Sequence, residues 1–295
     1  HAAKPEVCVE SLADRCSLKP PSFPSGDIKE GVSLNCTYLQ SLPCLANKPD
    51  DEFAMTFLLQ PVKNDEPALA GAPMIGAAQK LLAYLAEHDA IGLTKGKAFQ
   101  RKFVHWAAAE FDWPGWEEDK LFLVDKVLNE YDFPPLEALH FVLLKLKLIR
   151  HYKLTCRLTK AGREVAGKSG DLFNLMAPFW LFEIDHAASS RMPEPRLGNW
   201  DVFLGVLNTE AANGVTCGAL REILYGPPDA GQPYDRTPGM IWSQVLQPLC
   251  WMGLLAETMS DDRQHFAERV YTTTSLWSEA FLFPLDGQVG LVTLH

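Results

Sequence analysis

The sequence predicts a mainly α-helical protein with small β-hairpins, an α+β fold in which two winged-helix-like units pack through a bridging helix. Apolar residues recur at helical spacing through most of the chain from Ala77 onward. Short stretches of alternating apolar residues follow two of the helical segments, as expected of hairpin strands. The order helix, turn, helix, helix, hairpin occurs twice, which predicts an internal repeat.

Residues 1 to about 75 are predicted to form an irregular or disordered extension. This segment is rich in proline, holds four of the seven cysteines and shows no helical periodicity. The stretch from Phe53 to Leu59 is expected to form a short strand at most. Met55 is a candidate native start, so deletion of residues 1–54 is expected to leave the melting temperature nearly unchanged.

The first winged-helix-like unit is predicted over residues 76–170. Its first helix follows from the apolar spacing of residues such as Leu82 and Leu85. Thr94 is expected to cap a second helix that runs from about Gly96 to Glu110. A further amphipathic helix is predicted from four apolar residues, Leu121, Val124, Val127 and Leu128.

The third helix and the wing complete the first unit. Proline at 134 and 135 is well placed to begin a helix whose apolar face extends to Leu146. Alternating apolar residues from Leu154 to Leu158 predict a strand, which forms a hairpin with residues 148–152. This hairpin is the predicted wing.

Residues 171–198 are predicted to form a bridging helix and a linker, and the second unit is placed at 199–295. Leu82 matches Leu204 at an offset of 122 positions, and Gly92 falls on Gly214 at the same offset. The third helix matches at an offset of 106. A second hairpin is predicted, with a polar loop at Ser260 to Gln264.

The formal net charge of −10 argues against a general polyanion-binding protein, so any nucleic-acid site must be a local basic patch. Such a patch is predicted in the first unit, where the second helix, the third helix and the wing of a helix-turn-helix protein meet phosphates. The candidate nucleic-acid-binding residues are Lys95, Lys97, Arg101, Lys102, His140, Lys147, Arg150, Lys153 and Arg157. Among third-helix side chains, His140 and Lys147 are expected to be able to contact bases.

The alternative interpretation of this patch is an ordinary solvated face, offset by the acidic stretch from Glu117 to Glu137. The second unit lacks the patch, because its third helix, Met240 to Met252, carries no Lys or Arg. Trp242 and Trp251 in that helix indicate protein contacts or core instead.

Motifs for phosphate-loop, metal or nucleophilic chemistry are not found. The stretch from Gly92 to Lys97 lacks the glycine spacing of a phosphate-binding loop and is interpreted as a helix-turn-helix corner. Glu183 and His186 have a helical spacing used in metal sites, but a polar helix end is the favoured interpretation. The spacing in the pairs Cys8/Cys16 and Cys36/Cys44 is too wide for a tight zinc knuckle.

Several stretches resemble an uncharacterised bacterial protein family, from about Met55 to Trp277. A fainter likeness joins the 128–163 stretch to the helical tail of plasmid-open-reading-frame-like proteins. Neither resemblance implies an activity or a catalytic residue. The stretches that carry the first resemblance are Leu128-Asn129-Glu130-x-Asp132-Phe133-Pro134-Pro135, Leu158-Thr159-Lys160-Ala161-Gly162, Leu197-Gly198-Asn199-Trp200-Asp201 and Gln247-Pro248-Leu249-Cys250-Trp251.

The sequence therefore predicts a non-enzymatic, cytoplasmic bacterial protein without a cofactor, a metal or a membrane segment. Its first unit is expected to contact DNA, and its second unit is expected to contact protein. The alternative is a scaffold that binds only proteins. An enzyme with a site near Glu183 to His186 is the third and least favoured hypothesis.

Overall fold

The computed structural model describes residues 57–124, 126–189, 194–228, 235–259 and 265–283. Over these residues the protein is mainly helical with small antiparallel sheets, as the sequence predicts. Two sets of predictions lie outside the described residues. They concern residues 1–54 with their four cysteines, and the loop from Ser260 to Gln264.

The chain enters the fold earlier than predicted, because residues 57–75 are not an irregular extension. Strand β1 (Leu58–Leu59) pairs antiparallel with the last strand of the described chain, and a 3-10 helix follows at Pro67–Gly71. Val62 and Leu69 of this segment are buried in the core. Asn174 holds the segment in place, since its side chain accepts from the Val62 amide and donates to the Val62 carbonyl, both at 2.9 Å.

The first copy of the repeated element order, residues 73–165, contains over its described part five α-helices, a 3-10 helix (Glu130–Asp132) and a three-stranded sheet. Proline begins helices α1 and α4, where its missing N–H costs nothing and its fixed φ suits the first turn. The elements are α1 (Pro73–His88), β2 (Ile91–Gly92), α2 (Arg101–Glu110), α3 (Glu118–Val124), α4 (Pro134–Lys145), β3 (Ile149–Tyr152), β4 (Thr155–Leu158) and α5 (Lys160–Val165).

A bridging segment then leads to residues 200–280, the second copy. The bridge is helix α6 (Ser169–Pro178), which continues as a π-helical turn at Phe179–Glu183. The elements that follow are α7 (Trp200–Glu210), β5 (Val215–Thr216), α8 (Cys217–Tyr225), α9 (Thr237–Ile241), a π-helical turn (Trp242–Leu246), α10 (Gln247–Trp251), β6 (Leu255–Thr258), β7 (Val270–Thr273), α11 (Ser275–Ala280) and β8 (Phe281–Leu282).

The two three-stranded sheets have the same topology and register. Their strand orders are β2-β4-β3 and β5-β7-β6, all antiparallel. Arg150 pairs with Arg157 in the first hairpin, and Ala256 pairs with Thr272 at the equivalent place in the second. The predicted offset of 106 positions is therefore confirmed for the first hairpin strand. The offset of 122 holds for α1 and α7 but not for the glycines, because Gly92 lies within β2 whereas Gly214 precedes β5.

The two copies close their hairpins with the same hydrogen bonds. The Thr159 hydroxyl donates to the carbonyl oxygens of Lys147 and Leu148 at 2.7 and 2.9 Å. The Thr274 hydroxyl donates to those of Gly253 and Leu254 at 2.6 and 3.2 Å. In each copy these hydrogen bonds connect the residue after the hairpin to the residues that follow the preceding helix. They therefore hold the hairpin in a fixed position relative to that helix.

Three local predictions in the first copy are wrong. The second helix begins at Arg101 rather than Gly96, and Thr94 does not cap it, because residues 94–100 form a loop closed by a bridge between Leu93 and Phe99. Val127 is exposed rather than part of an apolar face. Leu154 lies in the hairpin turn, so the strand begins at Thr155.

The predicted packing of the bridge is confirmed. It contacts α1 of the first copy and α10 of the second. The Trp180 indole donates to the carbonyl oxygen of Pro248, and the Trp251 ring lies between those of Trp113 and Trp180, with ring centroids 5.3 and 5.7 Å away. Both copies and the bridge therefore share one continuous buried cluster.

Candidate functional site

The outer face of the first hairpin carries two arginines directly opposite each other. Arg150 and Arg157 form a cross-strand pair, and both side chains are exposed. Like charges opposite one another on a sheet destabilise it. Tyr152, 47% exposed, lies beside them on the same face, with the Arg157 guanidinium carbon 5.2 Å from its ring centroid and the Lys153 ammonium at 5.5 Å.

The loop before α2 joins this hairpin. The Lys97 ammonium donates to the carbonyl oxygen of Lys153 at 2.8 Å, and the Leu93 amide donates to that of Leu154 at 2.9 Å. Lys97 is therefore brought next to the hairpin turn, as expected for a shared basic site. Lys95 is an exposed neighbour in the same loop.

Arg101 and Lys102 lie at the beginning of α2, beside a groove of about 660 Å³. The Arg101 guanidinium donates to the side-chain oxygen of Asn129 at 2.9 Å, which ties α2 to the segment before α4. The lining residues are Thr94, Ala98, Phe99, Gln100, Arg101, Lys102, Asn129, Glu130 and Tyr131.

Three of the lysines adopt a backbone conformation that favours glycine. Lys97, Lys147 and Lys153 have φ of 70°, 57° and 55°. A non-glycine residue in the left-handed region costs about 1–2 kcal/mol, and such residues cluster at functional sites. Lys147 follows the end of α4, where the Leu148 amide donates to the Leu143 carbonyl at 2.9 Å, the hydrogen bond of a glycine-type helix end.

We call eight exposed cations of the first copy the basic face: Lys95, Lys97, Arg101, Lys102, Lys147, Arg150, Lys153 and Arg157. Contacts bring Lys97, Lys153 and the two arginines of the hairpin together, and that all eight share one surface stays a prediction. Within the described residues, none of these side chains forms an ion pair with a carboxylate. In the acidic stretch from Glu117 to Glu137, Glu117 pairs with Lys120, and Glu130 is buried and lines the groove beside Arg101.

His140 does not belong to this face, which corrects its assignment as a base-contacting residue. Its side chain is buried and its ring stacks on Phe99 with centroids 3.9 Å apart. Its Nδ1 lies 2.6 Å from Glu130 Oε1, and its Nε2 lies 2.9 Å from His151 Nε2. The helix was predicted correctly, but its phase turns this side chain toward the core. The residues of α4 are otherwise buried or partly buried, and Lys145 at its end is one of the partly buried ones.

We call Glu130, His140 and His151 the Glu–His–His array. The second Glu130 oxygen accepts the backbone N–H of Phe99, which fixes the loop before α2. Burial, His140 and Lys97 hold the pKa of His151 below its ordinary value, and Glu130 opposes them. Sequence reasoning missed Glu130 and His151 as members of a site, because the three residues meet only through tertiary structure. The sole signal was Glu130 within the family-like motif.

At the described positions of the second copy that match the hairpin and the preceding helix, the arginine pair and the two histidines of the array are replaced. Ala256 and Thr272 stand where the first copy has the two opposed arginines. Leu246 stands where the first copy has His140, and it is buried. Glu257, at the position of His151, binds Arg269 at 2.8 Å and Tyr271 at 3.0 Å.

The segment from Glu183 to His186 does not form a helical pair of ligands. The helix ends at Glu183, and Ile184 is extended. His186 Nε2 bonds the carbonyl oxygen of Trp180 at 2.7 Å, and burial lowers the pKa of His186 to about 4. This imidazole satisfies the end of a helix, which agrees with the favoured interpretation.

Two searches of the described residues bear on other classes of site. No group of three or more His, Cys, Asp or Glu side chains within them is placed to hold a metal ion. No helix among them has the length and apolar composition to cross a membrane.

Two family models match the chain, the Y4jL N-terminal domain over residues 70–171 and the y4jL C-terminal domain over residues 190–275. A relative titled uncharacterized protein y4jL, from Sinorhizobium fredii (strain NBRC 101917 / NGR234), is 35% identical over 174 residues. These residues cover 59% of this chain and 79% of the relative. The chain belongs to the y4jL family. No solved structure gives a significant match.

The y4jL family confirms the resemblance drawn from the motif at 128–135. The match to the Y4jL N-terminal domain contains the whole basic face and the Glu–His–His array. The match to the y4jL C-terminal domain contains the second hairpin, with Ala256 and Thr272 in place of the arginines. The difference in residues between the two hairpins therefore coincides with the division into two family models.

Proposed function

We propose that the first copy is a winged-helix-like unit, placed at residues 76–170, that binds the phosphate backbone of nucleic acid through the basic face. The second winged-helix-like unit, at 199–295, contacts protein, and residues 171–198 join the two. The protein acts without catalysis. A reducing cytoplasm stays our prediction from its cysteine usage.

The Arg150–Arg157 pair carries this proposal. Two opposed arginines, exposed and without a carboxylate partner in the described chain, cost folding energy that a polyanion repays. The second copy builds the same register with Ala256 and Thr272, so the hairpin itself does not require these charges. The ligand is a phosphate backbone rather than base edges, since His140, the residue of α4 expected to contact bases, is buried.

A salt titration tests the proposal. Binding of mixed-sequence duplex DNA at low ionic strength should weaken steeply with salt, with a log–log slope of about −0.9 per phosphate contact. The double variant Arg150→Ala/Arg157→Thr gives the first hairpin the residues of the second. It should reduce both the affinity and the slope.

The second hairpin supplies a matched control. The double variant Ala256→Glu/Thr272→Glu changes the net charge by the same −2 at the equivalent place and should leave the slope unchanged. Equal effects of the two double variants would show that overall charge, not the basic face, determines binding. Absence of binding by the wild-type protein at low salt would contradict the proposal outright.

A scaffold that binds only proteins is the second candidate, and the burial of α4 favours it. A nucleic-acid-reading helix normally presents exposed side chains to a groove, and the residues of this helix are buried or partly buried. If duplex DNA does not bind, a pull-down from the native host should recover protein partners. Their loss on substitution of exposed residues in the second copy, such as Ile223 and Tyr225, would support the scaffold function.

A further inference from the structure

The Glu–His–His array is a buried ionisable group that the fold does not need. The second copy builds the corresponding helix and hairpin around Leu246, which is fully buried and apolar. A buried carboxylate is costly unless it is paired and hydrogen-bonded. Its presence only in the copy that carries the basic face links it to that face.

The contacts of the array leave one ring nitrogen for a further proton. His140 Nδ1 faces a Glu130 oxygen at 2.6 Å. One hydrogen lies between His140 Nε2 and His151 Nε2, which are 2.9 Å apart, because one nitrogen must donate and the other accept. A proton taken up by the array therefore enters at His151 Nδ1, and the array gains one positive charge.

Charged groups from every neighbouring element face the array. They are Lys97 of the loop before α2, Glu137 of α4 and Cys156 of β4, which pairs with His151 across the hairpin. Burial and the charge of Glu130 raise the pKa of Glu137 to about 7. The same two causes raise the pKa of the Cys156 thiol, so it stays protonated.

Lys97 couples the array to the surface. It is a member of the basic face, its ammonium bonds the Lys153 carbonyl, and its positive charge lowers the pKa of His151. A phosphate bound to Lys97 would offset that charge and raise the pKa of His151. Since coupling between two ligands is reciprocal, a proton on the array must strengthen phosphate binding by the same factor.

We propose that the Glu–His–His array is a proton-binding regulator of the basic face, so that polyanion binding takes up a proton and strengthens as the pH falls. This inference rests on the function proposed above. His151, a residue outside the basic face, is thereby one of the groups that determine the affinity of the basic face for a polyanion.

Two measurements on the full chain test the inference. Duplex DNA affinity at fixed low ionic strength should be several-fold higher at about pH 6 than at about pH 8, within the limit of tenfold per pH unit for one linked proton. The double variant Glu130→Gln/His140→Leu removes the array and takes its leucine from the second copy. It should bind with a much smaller pH dependence, whereas His88→Gln, at an exposed histidine of α1, should retain it.

The second measurement needs neither ligand nor a core substitution. Lys97→Asn changes an exposed residue to one that tolerates the left-handed conformation. It should raise the pKa of His151, followed by NMR of the imidazole ring protons and assigned with His151→Gln. An unchanged His151 pKa would overturn the coupling.

The outcomes separate the two proposals. If the wild type binds DNA and the array variant keeps the full pH dependence, the basic face binds nucleic acid but the regulation is wrong. If the wild type binds no DNA at either pH, the proposed function fails and its regulation fails with it.

Discussion

Lys147 occupies in the first copy the helix-end position that Gly253 occupies in the second, and both have a left-handed backbone, with φ of 57° and 76°. The following residues, Leu148 and Leu254, donate equivalent hydrogen bonds to the ends of their helices, both at 2.9 Å. A lysine therefore stands where the geometry favours glycine. Replacing Lys147 by glycine therefore measures the free-energy cost of holding this lysine in the left-handed conformation.

Lys147→Gly should raise the free energy of unfolding by about 0.5–1 kcal/mol, because glycine adopts the left-handed conformation without steric cost. The same variant should weaken DNA binding at low salt. Urea denaturation and a binding titration measure the two effects. The reverse change, Gly253→Lys, should destabilise, since a Cβ there would lie 2.6 Å from the Ala72 Cα. A lower free energy of unfolding in Lys147→Gly would contradict the inference that the backbone at Lys147 is strained.

Leu143 tests the helical phase of α4. Its side chain is fully buried, so Leu143→Ala should lower the free energy of unfolding by about 2–5 kcal/mol. Leu123→Ala is the control, because that side chain is 74% exposed and its removal should change stability little. Equal effects of the two substitutions in thermal or urea unfolding would contradict the packing.

Asn174 tests whether residues 57–72 are integral to the fold. Its side chain forms both a donor and an acceptor bond with Val62, so Asn174→Ala should cost about 1–3 kcal/mol by leaving partly buried backbone groups unpaired. Asn64→Ala removes two bonds with Asp171, one to its carboxylate and one from its backbone N–H, and should cost less because both are exposed to solvent. Limited proteolysis should cleave before residue 73 faster in Asn174→Ala. Unaltered protection would show that other contacts hold the segment.

His186 gives a pH dependence of stability. Its folded pKa of about 4 lies below the ordinary 6.5, so the unfolded chain binds more protons between these values. Stability should therefore fall as the pH drops from about 6.5 towards 4, by at most about 1.4 kcal/mol per pH unit. His186→Gln should remove this contribution, measured as the difference between variant and wild-type unfolding free energies across the window.

The comparison of unfolding free energies between His186→Gln and wild type is needed because Glu137 changes stability with pH in the opposite direction. Its folded pKa of about 7 lies above the ordinary value, so its contribution is present at low pH and is lost as the pH rises towards 7. The two groups partly cancel in the wild type. A flat difference curve between His186→Gln and wild type would show that His186 is not buried as a neutral ring.

Local signals predicted the parts of the fold that depend on neighbouring residues. The alternation ending at Leu158 located the first hairpin, and the prolines at 134 and 135 located the beginning of α4. The prediction that Thr94 caps a helix is wrong, because a threonine after a turn resembles a cap. Thr159 and Thr216 do cap helices, accepting from the amides of Gly162 and Ala219 at 3.0 and 3.1 Å.

Only the residues of the site that are identified by their charge, the lysines and arginines, could be predicted from the sequence. The lysines and arginines of the basic face are exposed, as hydrophilic residues on a hairpin and in loops usually are. His140 was misassigned because its neighbours on α4 do not reveal Glu130 and His151, which approach it from a 3-10 turn and a strand. Contacts of this kind follow from tertiary packing, which no periodicity within one helix encodes.

The pairing of β1 with β8 has a consequence for synthesis on the ribosome. Leu59 meets Phe281, a partner made more than two hundred residues later. The first copy can fold as it emerges, because its own sheet closes within residues 91–158. Strand β1 must wait for almost the whole described chain, and loop closure over that distance is slow. Nascent chains should therefore carry a folded first copy and an unpaired β1 edge until β8 has been synthesised.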